Sequence, residues 1–466
     1  MVAVAVDPAL RGETAKAFQQ LCDWAVISRQ SALPDPIRRR AALVLLDDLG
    51  AIVAASAEPQ VAASRAVALR EASSEKSATI FAEGAPRTSV EAAATANGMA
   101  VAWAELDEGY RLAPCHAGAY ILPALLADME AQGSSVADVL DVLVRGYEIT
   151  GRFARAFPFA TMTVHPHAAF ATVGAAAGIG IARQLDVVTF TRALSGAISM
   201  TPAGPYAHAI DGALIRNAWS AAGAWLGLRS VEWARGGIGG IPETAYDVFV
   251  TCFGTDARPQ ELTQGLGEQW AIADGYHKIF ACCQYAHSAL EASLELHQRL
   301  GSQIEAGIEQ IIVETHPRGL TLTGVEPETV LAAKFSMPHA LAAVAVKKTG
   351  GKDAFTNDTL ADPAIADLRR KVELQPYTPL APWPNDRPGR VTWVLKDGSR
   401  HSAECLNARG GADQPFDEAT LLAKLEDNCA HIFPAMPRVL RAILAGDAEI
   451  MKRSWRDAVA SMTGER

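Results

Sequence analysis

The sequence is poor in the features that announce several common chemistries. Its seven cysteines are odd in number, scattered apart from the neighbours Cys282 and Cys283, and form no CxxC pair. That argues against a disulfide framework and fits free thiols in a reducing compartment. Positive charge is not in excess: the net charge is −10, which argues against a general nucleic-acid binder while leaving room for a local basic pocket. The longest apolar run, AAFATVGAAAGIGIA over 168–182, is too short and too rich in alanine and glycine to span a bilayer. It reads instead as a tightly packed helix inside a large bundle. The start, MVAVAVDPALRGE, lacks a basic n-region and meets Asp7-Pro8 too early for a secretory leader, so a cytoplasmic location without membrane attachment is expected. There is no GxSxG elbow, no P-loop lysine motif, no internal repeat and no low-complexity tail. GAAAGIG at 174–180 has neither a β-run leading into it nor an acidic residue at the right distance, which argues against a dinucleotide site.

What is present is an ordinary globular composition, 49% apolar and 20% charged, in a chain of 466 residues. That length exceeds what one core usually serves, so two domains are expected. Most of the first 270 residues read as helix. DPIRRRAALVLLDDLGAIVAAS offers Asp35 as N-cap and Pro36 at the first helical position. SVADVLDVLVRGYEITGRFARAF places Asp138 three residues after Ser135, a capping-box variant. GALIRNAWSAAGAWLGLRSVEWARGG is a third long pattern, ended by Gly236-Gly237. Convincing strands are missing there. After about residue 274 the texture changes: IEQIIVETH is β-rich, and GRVTWVLKDGSRHSAEC is two alternating runs joined at Asp397-Gly398. Helical patterns and the proline-rich QPYTPLAPWPNDRPG lie between them. The expected fold is mainly α: an all-helical domain over 1–273 and 408–466, with a smaller α+β lid domain over 274–407 inserted before the C-terminal helices.

Four polar positions stand near helix starts. His116 precedes the helix running through YILPALLADME. His165 precedes Pro166, and a residue before proline is pushed out of the α region, so a helix starts there. Lys278 lies in YHKIFACCQYAH ahead of the helix carrying His287, and Arg216 falls within a helix after MTPAGPYAHAIDG. Helix N-termini offer unpaired N–H groups and partial positive charge, a setting for carboxylates. Plainer readings compete. A lone histidine more often serves as a structural hydrogen-bonder, Lys278 as a surface lysine, and Arg216 as a partner of Glu232 or Asp211. His165-Pro166-His167, with no nearby cysteine or carboxylate, is a weak metal signal, and no metal or other cofactor is expected.

Taken in order, these segments resemble the MmgE/PrpD family, which includes 2-methylcitrate dehydratase, cis-aconitate decarboxylase and iminodisuccinate epimerase. The resemblance is carried by AELDEGYRLAPCHAG, VHPHAAFATVGAAAGIGIARQLD, RNAWSAAGAWLGLRSVEWARGGIGG, YHKIFACCQYAHSALEASLEL, KFSMPHALAAVAV and RGGADQPFDEATLLAKLEDN, and it covers nearly the whole chain. It implies a large helical domain with a smaller α+β lid, a homodimer, and an active site between the domains without metal or organic cofactor. Carried over by position, the site holds Glu105 or Asp107, His116, His165, Arg216, Lys278 and His287. Three departures stand out: Glu105 replaces the first aspartate of an acidic stretch, Gly109 replaces a threonine, and Arg216 replaces the lysine of decarboxylase-like members.

The family reactions pass through a carbanion-like or enolate-like state next to a carboxylate, which needs positive groups and a tuned acid or base. Lys278, His116, His165, Tyr110 and Asp107 are the expected catalytic groups. Arg216, Glu105, Tyr147 and His287 are expected to bind substrate. Neighbouring cations are expected to lower the pKa of Lys278 and free it as a base. An arginine stays charged and clamps carboxylates, so Arg216 reads as an anchor. The Arg216 and Gly109 departures favour an epimerase acting on a polycarboxylate such as iminodisuccinate. A 2-methylcitrate dehydratase-like or cis-aconitate decarboxylase-like lyase is the alternative, and a helical binding protein that lost its chemistry is the rival from another class.

Overall fold

The computed structural model describes residues 6–71, 76–301 and 307–464. The first five residues, part of the stretch read against a secretory leader, lie outside the described residues. The fold is mainly helical with a smaller α+β region. The helical part is built from α1 (Pro8–Ile27), α2 (Asp35–Ala55), α3 (Pro59–Glu71), α4 (Val90–Val101), α5 (Ala117–Gln132), α6 (Val136–Ala156), α7 (Pro166–Ala182), α8 (Val187–Ser199) and α9 (Ala218–Arg235), with shorter turns between them.

α7 is its centre. Every residue from Pro166 to Ile181 is buried, the state a helix apolar on all sides must reach. α5, α6, α8 and α9 surround it. Small residues permit the approach: a Cβ on Gly223 or Gly227 of α9 would come within 2.5 Å of Ala171 or Ala175 of α7. Among the described residues no helix is long and apolar enough to cross a membrane. α6 begins with the expected reciprocal cap between Ser135 and Asp138. α2 begins one residue earlier than expected. The Pro34 carbonyl accepts the N–H groups of Ile37 and Arg38, so Asp35 is already helical and its side chain caps nothing.

The α+β region holds a four-stranded sheet, and two separate two-stranded pairs, β1 to β4, precede it in the chain. β1 (Ala78–Thr79) pairs with β2 (Arg87–Thr88), and β3 (Gly109–Tyr110) with β4 (Gly275–Tyr276). Two-residue pairs carry no periodicity, and the sequence shows no sign of them. The sheet comprises β5 (Ile308–Thr315), β6 (Val372–Pro376), β7 (Gly389–Leu395) and β8 (Arg400–Cys405) in the order β6-β5-β7-β8. β5 and β6 are parallel; β5–β7 and β7–β8 are antiparallel. The β7–β8 hairpin turns at Asp397-Gly398, where Gly398 has φ +86°, a conformation glycine adopts without strain. α10 (His287–Leu300) lies against β7 and β8, with α11 (Met337–Lys347) beside it. The chain then returns to the helices: α12 (Glu418–Cys429) and α13 (Met436–Leu444) pack on α2, and α14 (Trp455–Thr463) packs on α5.

The β3–β4 pair matters most for function. It joins the acidic stretch 105–108 to the segment carrying Lys278. Gly109 makes the join possible, because a Cβ there would lie 2.3 Å from the Tyr276 ring.

Candidate active site

A cleft lies where these segments meet, and Glu105, Tyr110, His116, His165 and Arg216 line it. Asp107 and Lys278 lie directly beneath, fully buried. Distant parts of the chain thus converge, although the expected common design of helix mouths holds for only two of them. His116 and His165 are the N-cap residues of α5 and α7. Arg216 sits in a single 3-10 turn, Leu214–Asn217, ahead of α9, and Lys278 in the irregular segment after β4.

The floor is a buried charge network. Lys278 Nζ lies 3.2 Å from Asp107 Oδ1 and 3.5 Å from Glu105 Oε2. Glu105 Oε1 lies 2.5 Å from Arg216 Nη2, so Arg216 pairs with Glu105 and not with Glu232 or Asp211. Glu105 adopts φ +55°, strained for a residue with a side chain, and from there bridges both cations. Burial alone would lower the Lys278 pKa, but Asp107 and Glu105 raise it further than burial lowers it. The expected neutral lysine base is therefore corrected to a fixed ammonium: its nearest neighbours are carboxylates, not cations. Burial pushes the Asp107 carboxyl up, and Lys278 and His116 overcome this to hold it well below the usual range.

His116 Nδ1 lies 2.7 Å from the Glu108 carbonyl, to which it donates, and 2.7 Å from Asp107 Oδ2. In the neutral ring Nε2 is then the bare nitrogen. Its N-cap side chain bonds no helix N–H; Glu108 Oε1 accepts from Gly118 N–H at 2.6 Å instead. His165 differs. Both ring nitrogens face donors: the His167 N–H lies 3.1 Å from Nδ1 and the Arg216 Nε–H 3.4 Å from Nε2. A neutral imidazole has one bare nitrogen, so the two donors compete for it. Burial and the Arg216 charge push the His165 pKa well down, so the ring is neutral. His167 stands between the two, its ring 4.9 Å from His116 and 4.7 Å from His165. Among the described residues no group of three or more His, Cys, Asp or Glu side chains is placed to hold a metal ion.

The remaining expected residues sit elsewhere. The Tyr147 hydroxyl donates to Glu108 Oε2 at 2.9 Å behind the wall. His287 bonds the Cys282 carbonyl at 3.2 Å, and burial takes its pKa to about 3. Neither lines the cleft, because other protein groups occupy their polar atoms. Tyr110 reaches the cleft edge, but burial raises its pKa, which unsuits it to proton transfer near neutrality.

Sequence reasoning missed Tyr206, Tyr276, Cys283, Tyr285 and Arg387 on the wall, and Asp47 and Asp48 behind it. Asp47 accepts from His277 Nδ1 at 2.9 Å and from Lys424 Nζ at 2.5 Å; Lys424 also donates to the Leu106 carbonyl at 2.6 Å. Asp48 accepts the Glu108 N–H at 2.9 Å. These two acids orient both segments of the floor. Their signal was present in LVLLDDLGAIV, since carboxylates inside an apolar stretch must find buried partners.

Fold and site together define a helical-core protein whose buried acid–cation network and two imidazoles face a cleft against an α+β region. The chain belongs to the MmgE/PrpD family: residues 19–254 match the MmgE/PrpD N-terminal domain and 280–447 the C-terminal domain. Among curated relatives it is similar to the cis-aconitate decarboxylase-like protein oryM of Aspergillus oryzae, 28% identical over 60% of this chain and 61% of that one. It is also similar to two cis-aconitate decarboxylase sequences of Aspergillus terreus, each 26% identical over 72% of this chain and 73% of theirs. The match thus spans about three fifths of the length of the first of these relatives.

Proposed function

We propose that the cleft moves a proton at the carbon next to a carboxylate of a small polycarboxylate, with His116 as base and His165 as the second imidazole beside the reacting carbon, and without a metal or organic cofactor. The observation that carries this reading is the presence of two differently held imidazoles in one cleft: His116 Nδ1 donates to the Glu108 carbonyl, which leaves Nε2 bare in the neutral ring, whereas the His165 nitrogens face the His167 N–H and the Arg216 guanidinium. A bare imidazole nitrogen supplies the base of general acid–base catalysis, and the second ring, beside the permanently charged Arg216, lies on the same cleft.

Lyase chemistry is the first form of this reaction. The carboxyl carbon leaves as carbon dioxide, or hydroxide leaves with a proton as water, and the proton account at carbon is closed by one imidazole. The names of the fungal relatives support it. Epimerisation is the second form, supported by the presence of two separate imidazoles, one for each face of the carbon. It comes second because the Arg216 anchor that favoured it is paired with Glu105. The family expectation of a homodimer belongs to the same reading and is tested by light scattering.

Proton NMR in D2O with di-, tri- and tetracarboxylates, iminodisuccinate and cis-aconitate among them, tests the function. Deuterium entry at a carbon next to a carboxylate, with loss of carbon dioxide, loss of water or neither, identifies the form. No exchange and no product with any of them overturns the reading.

A further inference from the structure

The two sides of the cleft differ in charge balance. On the helical side Lys278 and Arg216 face Glu105 and Asp107, two cations against two anions. The α+β side is not matched. Arg387 lines the cleft and is only 8% exposed. Its nearest carboxylate is Asp386, 3.8 Å from Nε, and that carboxylate already holds Arg111 at 2.5 Å. One Arg387 amino group donates to the Gln284 side-chain oxygen, and its guanidinium lies 5.3 Å from the Tyr285 ring centre. Arg318 lies 5.6 Å from the same ring centre and donates to the Tyr285 hydroxyl at 3.0 Å. Among the described residues Arg318 has no carboxylate within ion-pair distance. Arg111 and Arg387 thus share Asp386 while Arg318 has no acid of its own, three positive charges against one.

The neighbours do not correct this excess. Burial takes His316 to a pKa of about 4, so it adds no charge at neutral pH and no acid either. Burial, then Arg111, lowers the Arg387 pKa, the expected response of a guanidinium short of anions. The backbone beneath is fixed from two elements: Ser288 Oγ, in α10, donates to the Arg387 carbonyl at 2.6 Å, and Thr315 Oγ1, in β5, to the Pro388 carbonyl at 3.3 Å. A buried, preorganised arginine lacking a full counter-ion is a binding device for an anion, since the cost of its desolvation is met only when one arrives.

We propose that Arg387, stacked on Tyr285 and reinforced by Arg318, anchors a substrate carboxylate remote from the reacting carbon. This rests on the proposed function and deepens it. The helical side handles the proton and the α+β side selects for chains bearing a second carboxylate.

Calorimetric titration of the full chain with tricarballylate, an unreactive tricarboxylate, tests the assignment. Arg387→Gln is expected to weaken binding ten- to a hundredfold, the usual range for a hydrogen bond to a charged group. Arg387→Lys should recover part of the loss. Arg318→Ala, at an exposed position, should weaken binding severalfold without disturbing the fold and decides the matter if Arg387→Gln does not fold. Wild-type affinity in a folded Arg387→Gln, or in Arg318→Ala should the former not fold, overturns the subsite while leaving the proposed function standing. If the wild type binds no tricarballylate and turns over no polycarboxylate, the function fails and the subsite fails with it.

Discussion

Lys278 Nζ stands 3.2 Å from Asp107 Oδ1, and neither side chain has any exposed surface. A pair sealed in this way is held by mutual need: either charge left alone would be far costlier than both together. Lys278 is therefore the cation that keeps Asp107 ionised beneath His116, and in the proposed proton transfer it acts through them.

Lys278→Met is expected to destabilise the protein by about 3–5 kcal/mol, the cost of stranding a buried charge. Thermal or denaturant unfolding measures it. Lys278→Met with Asp107→Asn should lose clearly less than the sum of the two single variants, because the residues share one interaction. Strict additivity would mean that they do not depend on one another.

Gly109 stands where the family resemblance leads to the expectation of a threonine, and close packing requires the glycine. A Cβ at 109 would sit 2.3 Å from the Tyr276 ring. Gly109→Ala is expected to cost about 1–3 kcal/mol through overpacking and to loosen the β3–β4 pair. Adding Tyr276→Ala should return part of that loss. An unfolding midpoint unchanged by Gly109→Ala would contradict the close packing of these segments.

Glu108 gives a pH signature. Burial raises its pKa to about 8, against the lowering effect of the Gly118 N–H and the Tyr147 hydroxyl. The folded state therefore binds a proton that the unfolded state releases near the ordinary carboxyl value. This contribution is full below that value and is lost as the pH rises through about 8. Glu108→Gln imitates the protonated acid. Its midpoint should approach that of the wild type near pH 6 and gain on it above pH 8. A difference that stays constant from pH 6 to 9 would place the ionisation elsewhere.

Much of the architecture was legible because its determinants are local. The Ser135–Asp138 box, the His165-Pro166 helix start and the Asp397-Gly398 turn each write their geometry into a few adjacent residues. α7 showed itself by being apolar all round. The site was legible only as a set of unusual residues, because its chemistry depends on contacts across the chain. Lys278 looked like a base until Asp107 and Glu105 came within 3.5 Å. Tyr147 and His287 looked like site residues until their polar atoms found partners in Glu108 and Cys282. Arg387 gave no signal: it lies within the proline-rich connector, without helical or strand periodicity, and its meaning lies in how few acids stand near it.

The most direct test of the account is the rate at which deuterium from D2O enters a polycarboxylate turned over by the wild type, followed by NMR for His116→Gln and His165→Gln. Each variant should fold, bind tricarballylate within a few-fold of the wild type, and exchange at least a hundredfold more slowly, the usual weight of a positioned acid or base. Exchange at the wild-type rate in a folded His116→Gln variant would contradict the claim that these two imidazoles move the proton.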